Sequence, residues 1–155
     1  MRQAGAGMSA ILDTEMALHV EFCREWGLSE ADIETAPEAS ACMAYTRFVL
    51  ERGMSGDLLD LHIALAPCIV GYAEIGARLV SNPVTSIEGN PYLPWIEMYA
   101  SSEYQDVAAG EISFLEDLMR RRAGPGRFNS LADTFGKATR LEVEFWQMGL
   151  DHAGV

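Results

Sequence analysis

The stretch Asp57-Leu58-Leu59-Asp60-Leu61-His62-Ile63-Ala64-Leu65-Ala66-Pro67-Cys68-Ile69-Val70-Gly71-Tyr72-Ala73-Glu74-Ile75-Gly76 reads as one long, almost wholly apolar helix behind a Ser55 cap. A run this apolar, with no polar stripe, belongs in the middle of a helical core. Its few polar side chains are therefore the informative ones. Cys68 and Tyr72 are four residues apart, one helical turn or roughly 6 Å, on a common face. Pro67 has no amide hydrogen for the carbonyl of Ile63 and its ring crowds that turn, so a bend is expected just before the cysteine.

Outward from this helix the same periodicity recurs. Ile11, Leu12, Met16, Leu18, Phe22 and Trp26 predict a first helix over Ser9 to Trp26 with Gly27 at its end, after a frayed Met1 to Gly7. Ser29 to Ile33 reads as a short capped turn. Pro37 is placed to open a helix carrying Ala41, Ala44, Tyr45, Phe48 and Val49, which Gly53 stops. Beyond the central helix, ending near Leu79, Pro94 suits the first turn of a short helix with Trp95, Ile96 and Tyr99. Ser101 or Ser102 caps a helix to about Arg122, and the turn Gly124-Pro125-Gly126 leads into a last helix to about His152. No window alternates with a period of two, so the chain is expected to be all-α.

Composition narrows the function classes. A chain of 155 residues, 49% hydrophobic, can bury one core, and a single domain over residues 1–155 is expected. A net charge of -12 argues against nucleic-acid binding, and Arg120-Arg121-Arg122 is read as cations complementing a helix C-terminus. Three cysteines without paired spacing, and no leader-like segment, point to reduced thiols in a soluble cytoplasmic protein. Apolar runs are interrupted by charged or helix-breaking residues, so no membrane partner is expected.

Tyr45, Tyr72 and Tyr99 come from three different helices, and Glu142 lies among Leu141, Phe145 and Trp146. Buried phenols and a buried carboxyl need hydrogen-bond partners, which a shared aromatic pocket would supply; such a pocket suits a flat nitrogen heterocycle. Residue types alone leave this open against a packed scaffold with no pocket. Cys23 and Cys42 are read as packing residues, and His62 as lying at the surface of its helix rather than binding metal. Glu15 and His19 form an i,i+4 pair, read as a surface contact. The twin Glu-x-x-His of di-iron bundles is absent from the sequence, so a metal-dependent helical oxidase is the weaker rival.

The segments Tyr45-Thr46-Arg47-Phe48, Ala66-Pro67-Cys68 with Tyr72-Ala73-Glu74-Ile75-Gly76, Asn90-Pro91-Tyr92 with Trp95-Ile96-Glu97-Met98-Tyr99, and Leu141-Glu142-Val143-Glu144-Phe145-Trp146 together resemble the TenA family of thiaminase II enzymes. The resemblance covers nearly the whole chain. It implies an up-and-down helical bundle of the haem-oxygenase-like type, without haem, assembled as a homotetramer. It also implies hydrolysis of aminopyrimidines or thiamin in thiamin salvage, with no metal or organic cofactor. Carried over by motif, Cys68 is the nucleophile and Glu142 the acid that holds the pyrimidine and moves its protons. Tyr45, Tyr72 and Tyr99 line the pocket, Tyr45 stacking on the ring. Family members begin with further helices bearing an aspartate that grips the pyrimidine, and this chain is expected to start at the third or fourth helix of that pattern. Asp13 matches no such motif and is given no role. A non-catalytic ligand-binding or assembly module is the alternative that follows from that departure.

Overall fold

The computed structural model describes residues 16–152. Helices make up most of the chain, and no strand occurs among the described residues, as the missing period of two requires. In order they are α1 Met16–Glu25, α2 Glu30–Thr35, α3 Ser40–Ser55, α4 Leu58–Ser81, α5 Leu93–Ala100, α6 Ser102–Arg122 and α7 Phe128–His152. The described residues fall into two compact units divided between Glu38 and Ala39. The first holds α1 and α2, neither with a fully buried residue. Ser29 caps α2 reciprocally: its hydroxyl accepts from the amide of Asp32 while the Asp32 carboxylate accepts from the amide of Ser29. The segment expected as a mere turn is thus a helix of its own. The expected helix from Ser9, and the frayed start, lie outside the described residues up to Met16, as do Asp13 and Glu15.

The second unit is built around α4, which packs against α3, α5, α6 and α7. It has 24 residues, and an 18-residue window with a mean hydropathy of 1.5 makes it long and apolar enough to cross a membrane by length and composition; 28% of that window is buried in the unit. Asp57, not Ser55, is its cap: the carboxylate accepts from the amides of Leu59 and Asp60, and Asp60 returns a bond to the amide of Asp57. A carboxylate there also complements the dipole, while Ser55 belongs to the end of α3. Gly53 does not stop α3. A Cβ on it would meet Leu61 at 3.0 Å, so this glycine lets α3 and α4 approach. Pro67 lies within α4, which remains helical on both sides of it and shows no break.

One end of the unit is held by Leu59, Leu118 and Leu131 from α4, α6 and α7, with Ile63, Phe114, Leu115 and Met119 against them. Full burial of each leucine contributes about 1.5–3 kcal/mol. Arg127, just ahead of α7, donates to the carboxylates of both Asp57 (3.0 Å) and Asp60 (2.7 Å), tying the α7 start to the α4 cap. The turn before it uses Gly124 and Gly126 at φ 57° and 96°, where a side chain would be strained. Arg120 and Arg121 both pair with Asp117 one turn back, in keeping with the helix-end reading of the arginine triplet.

His62 departs from expectation. Instead of facing solvent it points from α4 to α6, its Nδ1 2.7 Å from the Glu111 carboxylate and its ring edge-on to Phe114 at 4.8 Å. Only a phase relation between two helices could have revealed this partnership, because the pair is 49 residues apart.

Candidate active site

Three helices converge on one cavity of about 210 Å³. From α3 come Cys42, Tyr45 and Thr46, whose i, i+3, i+4 spacing puts them on one face. From α4 come Cys68 and Tyr72, one turn apart, and from α7 Glu142 and Phe145, again at i, i+3. Each helix thus contributes one narrow stripe, and the cavity is where the stripes meet.

Glu142 is the chemical centre of this arrangement. It is 7% exposed; the Tyr72 hydroxyl donates to its Oε1 at 2.9 Å, while its buried Oε2 has no partner. A buried carboxylate oxygen without a donor costs about 1–3 kcal/mol, which an incoming N–H or O–H would recover. Burial, followed by the adjacent Glu142 charge, pushes the Tyr72 phenol far above the ordinary tyrosine range, so it stays protonated and can only donate to the carboxylate.

Tyr45 is also buried, and its hydroxyl donates to the carbonyl of Ala64 at 3.4 Å. Its titration is displaced upward too, mainly by burial and next by Cys68, with Glu142 adding to it. The Cys68 thiol, in the turn that Pro67 deprives of one amide, donates to the carbonyl of Leu65 at 3.1 Å. An apolar cavity wall therefore presents two thiols, a hydroxyl, two neutral phenols and one carboxyl.

The structure brings Tyr45, Cys68, Tyr72 and Glu142 to a single cavity. Tyr99 stands elsewhere. It does not line the cavity but lies behind Tyr72, ring centres 5.1 Å apart, in a cluster with Trp95 (4.6 Å) and Tyr104 (4.6 Å). From α5 its ring packs against that of Tyr72 and buttresses it. Cys42, read as a packing residue, is on the cavity wall with Thr46 and Phe145. Their helical spacing from Tyr45 and Glu142 was the signal available for finding them.

A larger hollow of about 530 Å³ is lined by Ile112, Leu115, Glu116, Met119 and Arg120. All five belong to α6, so it is a furrow along one helix where no groups converge from different elements. No set of three or more His, Cys, Asp or Glu side chains suited to a metal ion occurs among the described residues.

An uncharacterized protein of Haemophilus influenzae is 44% identical over 92% of this chain and 66% of its own. An aminopyrimidine aminohydrolase of Halalkalibacterium halodurans is 34% identical, over 91% of this chain and 62% of its own. The crystal structure of a TenA family transcription regulator from a Silicibacter species superposes with a TM-score of 0.87 at 42% identity, covering 95% of this chain and 66% of that one. The chain therefore spans slightly less than two thirds of the length of each of these three relatives. The family model described as TENA/THI-4/PQQC matches residues 1–152, and to that family this chain belongs.

Proposed function

We propose that this chain carries the cysteine-dependent hydrolysis of an aminopyrimidine, 4-amino-5-aminomethyl-2-methylpyrimidine or thiamin, to the hydroxymethylpyrimidine. The observation that carries the reading is the Glu142 carboxyl: one oxygen held by Tyr72, the other buried without a partner, on the same cavity as the Cys68 thiol. The name of the Halalkalibacterium relative supports it.

The residues have the chemistry the reaction needs. The Cys68 thiol passes its proton to the Glu142 carboxylate as the sulphur bonds to an electron-poor ring carbon, and the carboxyl so formed delivers that proton to the ring nitrogen that receives the displaced electron pair. With aromaticity broken, the bond from the methylene carbon to the amine or thiazolium nitrogen breaks and the pair leaves on nitrogen. Water bonds to the methylene carbon and its spare proton passes to the departed amine, or to solvent when thiazole leaves; the carbon–sulphur bond then breaks, and the ring proton returns through Glu142 to the Cys68 sulphur. The net change is addition of one water with release of the amine or thiazole. Tyr72 holds Glu142 in place, and Tyr45 offers a neutral aromatic face to the ring.

The test is hydrolysis of 4-amino-5-aminomethyl-2-methylpyrimidine followed by mass spectrometry for the full chain, Cys68→Ala and Glu142→Gln. Turnover by the parent and a loss of about 100-fold or more in each variant are expected. Equal rates in parent and variants would overturn the mechanism. Calorimetry showing pyrimidine binding without turnover would point instead to a ligand-binding module.

A further inference from the structure

Gln105 on α6 lies outside the cavity and outside the motifs that suggest the family, yet its side chain joins three helices at the level of the site. Its Nε2 donates to the carbonyl of Ala73 on α4 at 3.0 Å and to the carbonyl of Tyr99 on α5 at 2.9 Å. Both partners are pure acceptors, so the amide must present its nitrogen to them, and both of its hydrogens are used. Tyr99 is in the last turn of α5, where helical carbonyls lack an intrahelical donor. Ala73 directly follows Tyr72. The amide therefore fixes the backbone of the two tyrosines' own segments relative to each other.

The side chains continue the connection. The Tyr99 ring lies against that of Tyr72 at 5.1 Å, with Trp95 bridging both, and the Tyr72 hydroxyl holds Glu142 at 2.9 Å. Gly76, one turn beyond Tyr72, meets the Tyr99 backbone so closely that a Cβ there would lie 2.7 Å from its carbonyl carbon. The α5 helix is thus pressed on α4 at Gly76 and stitched to it by Gln105. Rotation or withdrawal of α5 would take the support from behind Tyr72, and with it the alignment of the carboxyl.

We infer that Gln105 is a positioning residue for the hydrolytic site: its amide sets Tyr99 behind Tyr72 and so orients the Tyr72–Glu142 hydrogen bond. The inference rests on the reaction proposed above, and its test separates the two. The substitutions are Gln105→Leu, which removes both bonds at similar size, and Gln105→Glu, which donates one bond only when protonated. Leu131→Val on α7, packed with Leu59, which lies roughly 20 Å of helix rise along α4 from Tyr72, is the control for simple loss of stability.

For Gln105→Leu, kcat falls about tenfold or more with a smaller change in KM, and the near-ultraviolet circular dichroism of the Tyr/Trp cluster diminishes. For Gln105→Glu both signals recover partly as pH is lowered through the carboxylate range, which loss of packing alone would not produce. Leu131→Val keeps parent kcat and aromatic ellipticity at temperatures where it is folded. Parent-like kcat and ellipticity in Gln105→Leu, or identical pH profiles for the Leu and Glu variants, would overturn the positioning role. Absence of turnover in the parent would sink the proposed reaction instead, while the ellipticity and its pH dependence would still decide about Gln105.

Discussion

Two glycines five residues apart in α4 should respond to the same substitution with opposite signs. Gly71 has open space where a Cβ would go, and its φ is not positive, so Gly71→Ala removes backbone freedom from the unfolded chain and adds helix propensity. A gain of about 0.5–1 kcal/mol is expected. Gly76 is buried, and its Cβ would meet the Tyr99 carbonyl carbon at 2.7 Å, the Ala100 nitrogen at 2.8 Å and the Tyr99 Cβ at 2.9 Å, where ordinary contact begins at 3.4 Å. Two of these atoms are backbone and the third is fixed to it, so no rotamer change relieves the clash. The helices must part by several tenths of an ångström, at a cost of about 1–3 kcal/mol that exceeds the propensity gain of roughly 1 kcal/mol. Urea unfolding of the two variants should therefore place Gly76→Ala about 1–3 kcal/mol below Gly71→Ala, with equal m values. A Gly76→Ala protein as stable as Gly71→Ala would refute the close approach of α4 and α5, and with it the support of Tyr72 by Tyr99.

Tyr72→Phe keeps the ring contacts with Trp95, Tyr99 and Trp146 but leaves both Glu142 oxygens without a donor. A loss of about 1–3 kcal/mol is expected in thermal unfolding, and an unchanged Tm would contradict the bond. The Arg127 guanidinium beside Asp57 holds that carboxyl below its usual range. A depressed folded-state value stabilises the protein at pH above the unfolded value of about 3.9 and loses that contribution as pH falls through the folded one. Arg127→Met should therefore cost about 1 kcal/mol or less at pH 7, since the pair is partly solvated, and the gap to the parent should close below about pH 4 and narrow in high salt. A gap constant from pH 7 to 3 would exclude the pair as its source.

Much of the fold was legible from side-chain periodicity, because a helix declares its buried stripe locally. Pro94, Ser101 and the Gly124-Pro125-Gly126 turn marked boundaries through chemistry that acts within a few residues. Boundaries set by competition were harder: Ser55 and Asp57 both suit a cap, and only the reciprocal bond with Asp60 decides for Asp57. Gly53 looked like a stop because a glycine chosen for close packing carries the same letter as one chosen for a turn. At the site, residue types mark Tyr45, Cys68, Tyr72, Tyr99 and Glu142 as polar groups in need of partners but leave a pocket open against a packed scaffold, and the family resemblance alone assigns them roles. The positions of Cys42 on the wall and Tyr99 behind it depend on how α3 and α5 are rotated about their axes against α4, and such phases are settled by packing between residues distant in the chain.

Of the protein's three tryptophans, Trp95 and Trp146 both lie within 6 Å of the Tyr72 ring, at 5.9 and 5.4 Å, while Trp26 belongs to the other unit. The protein thus carries a built-in optical probe beside its cavity. Emission from this pair will change with any occupant that disturbs Tyr72, so ligands could be screened by intrinsic fluorescence alone, with a Trp26→Phe variant removing the contribution of the other unit.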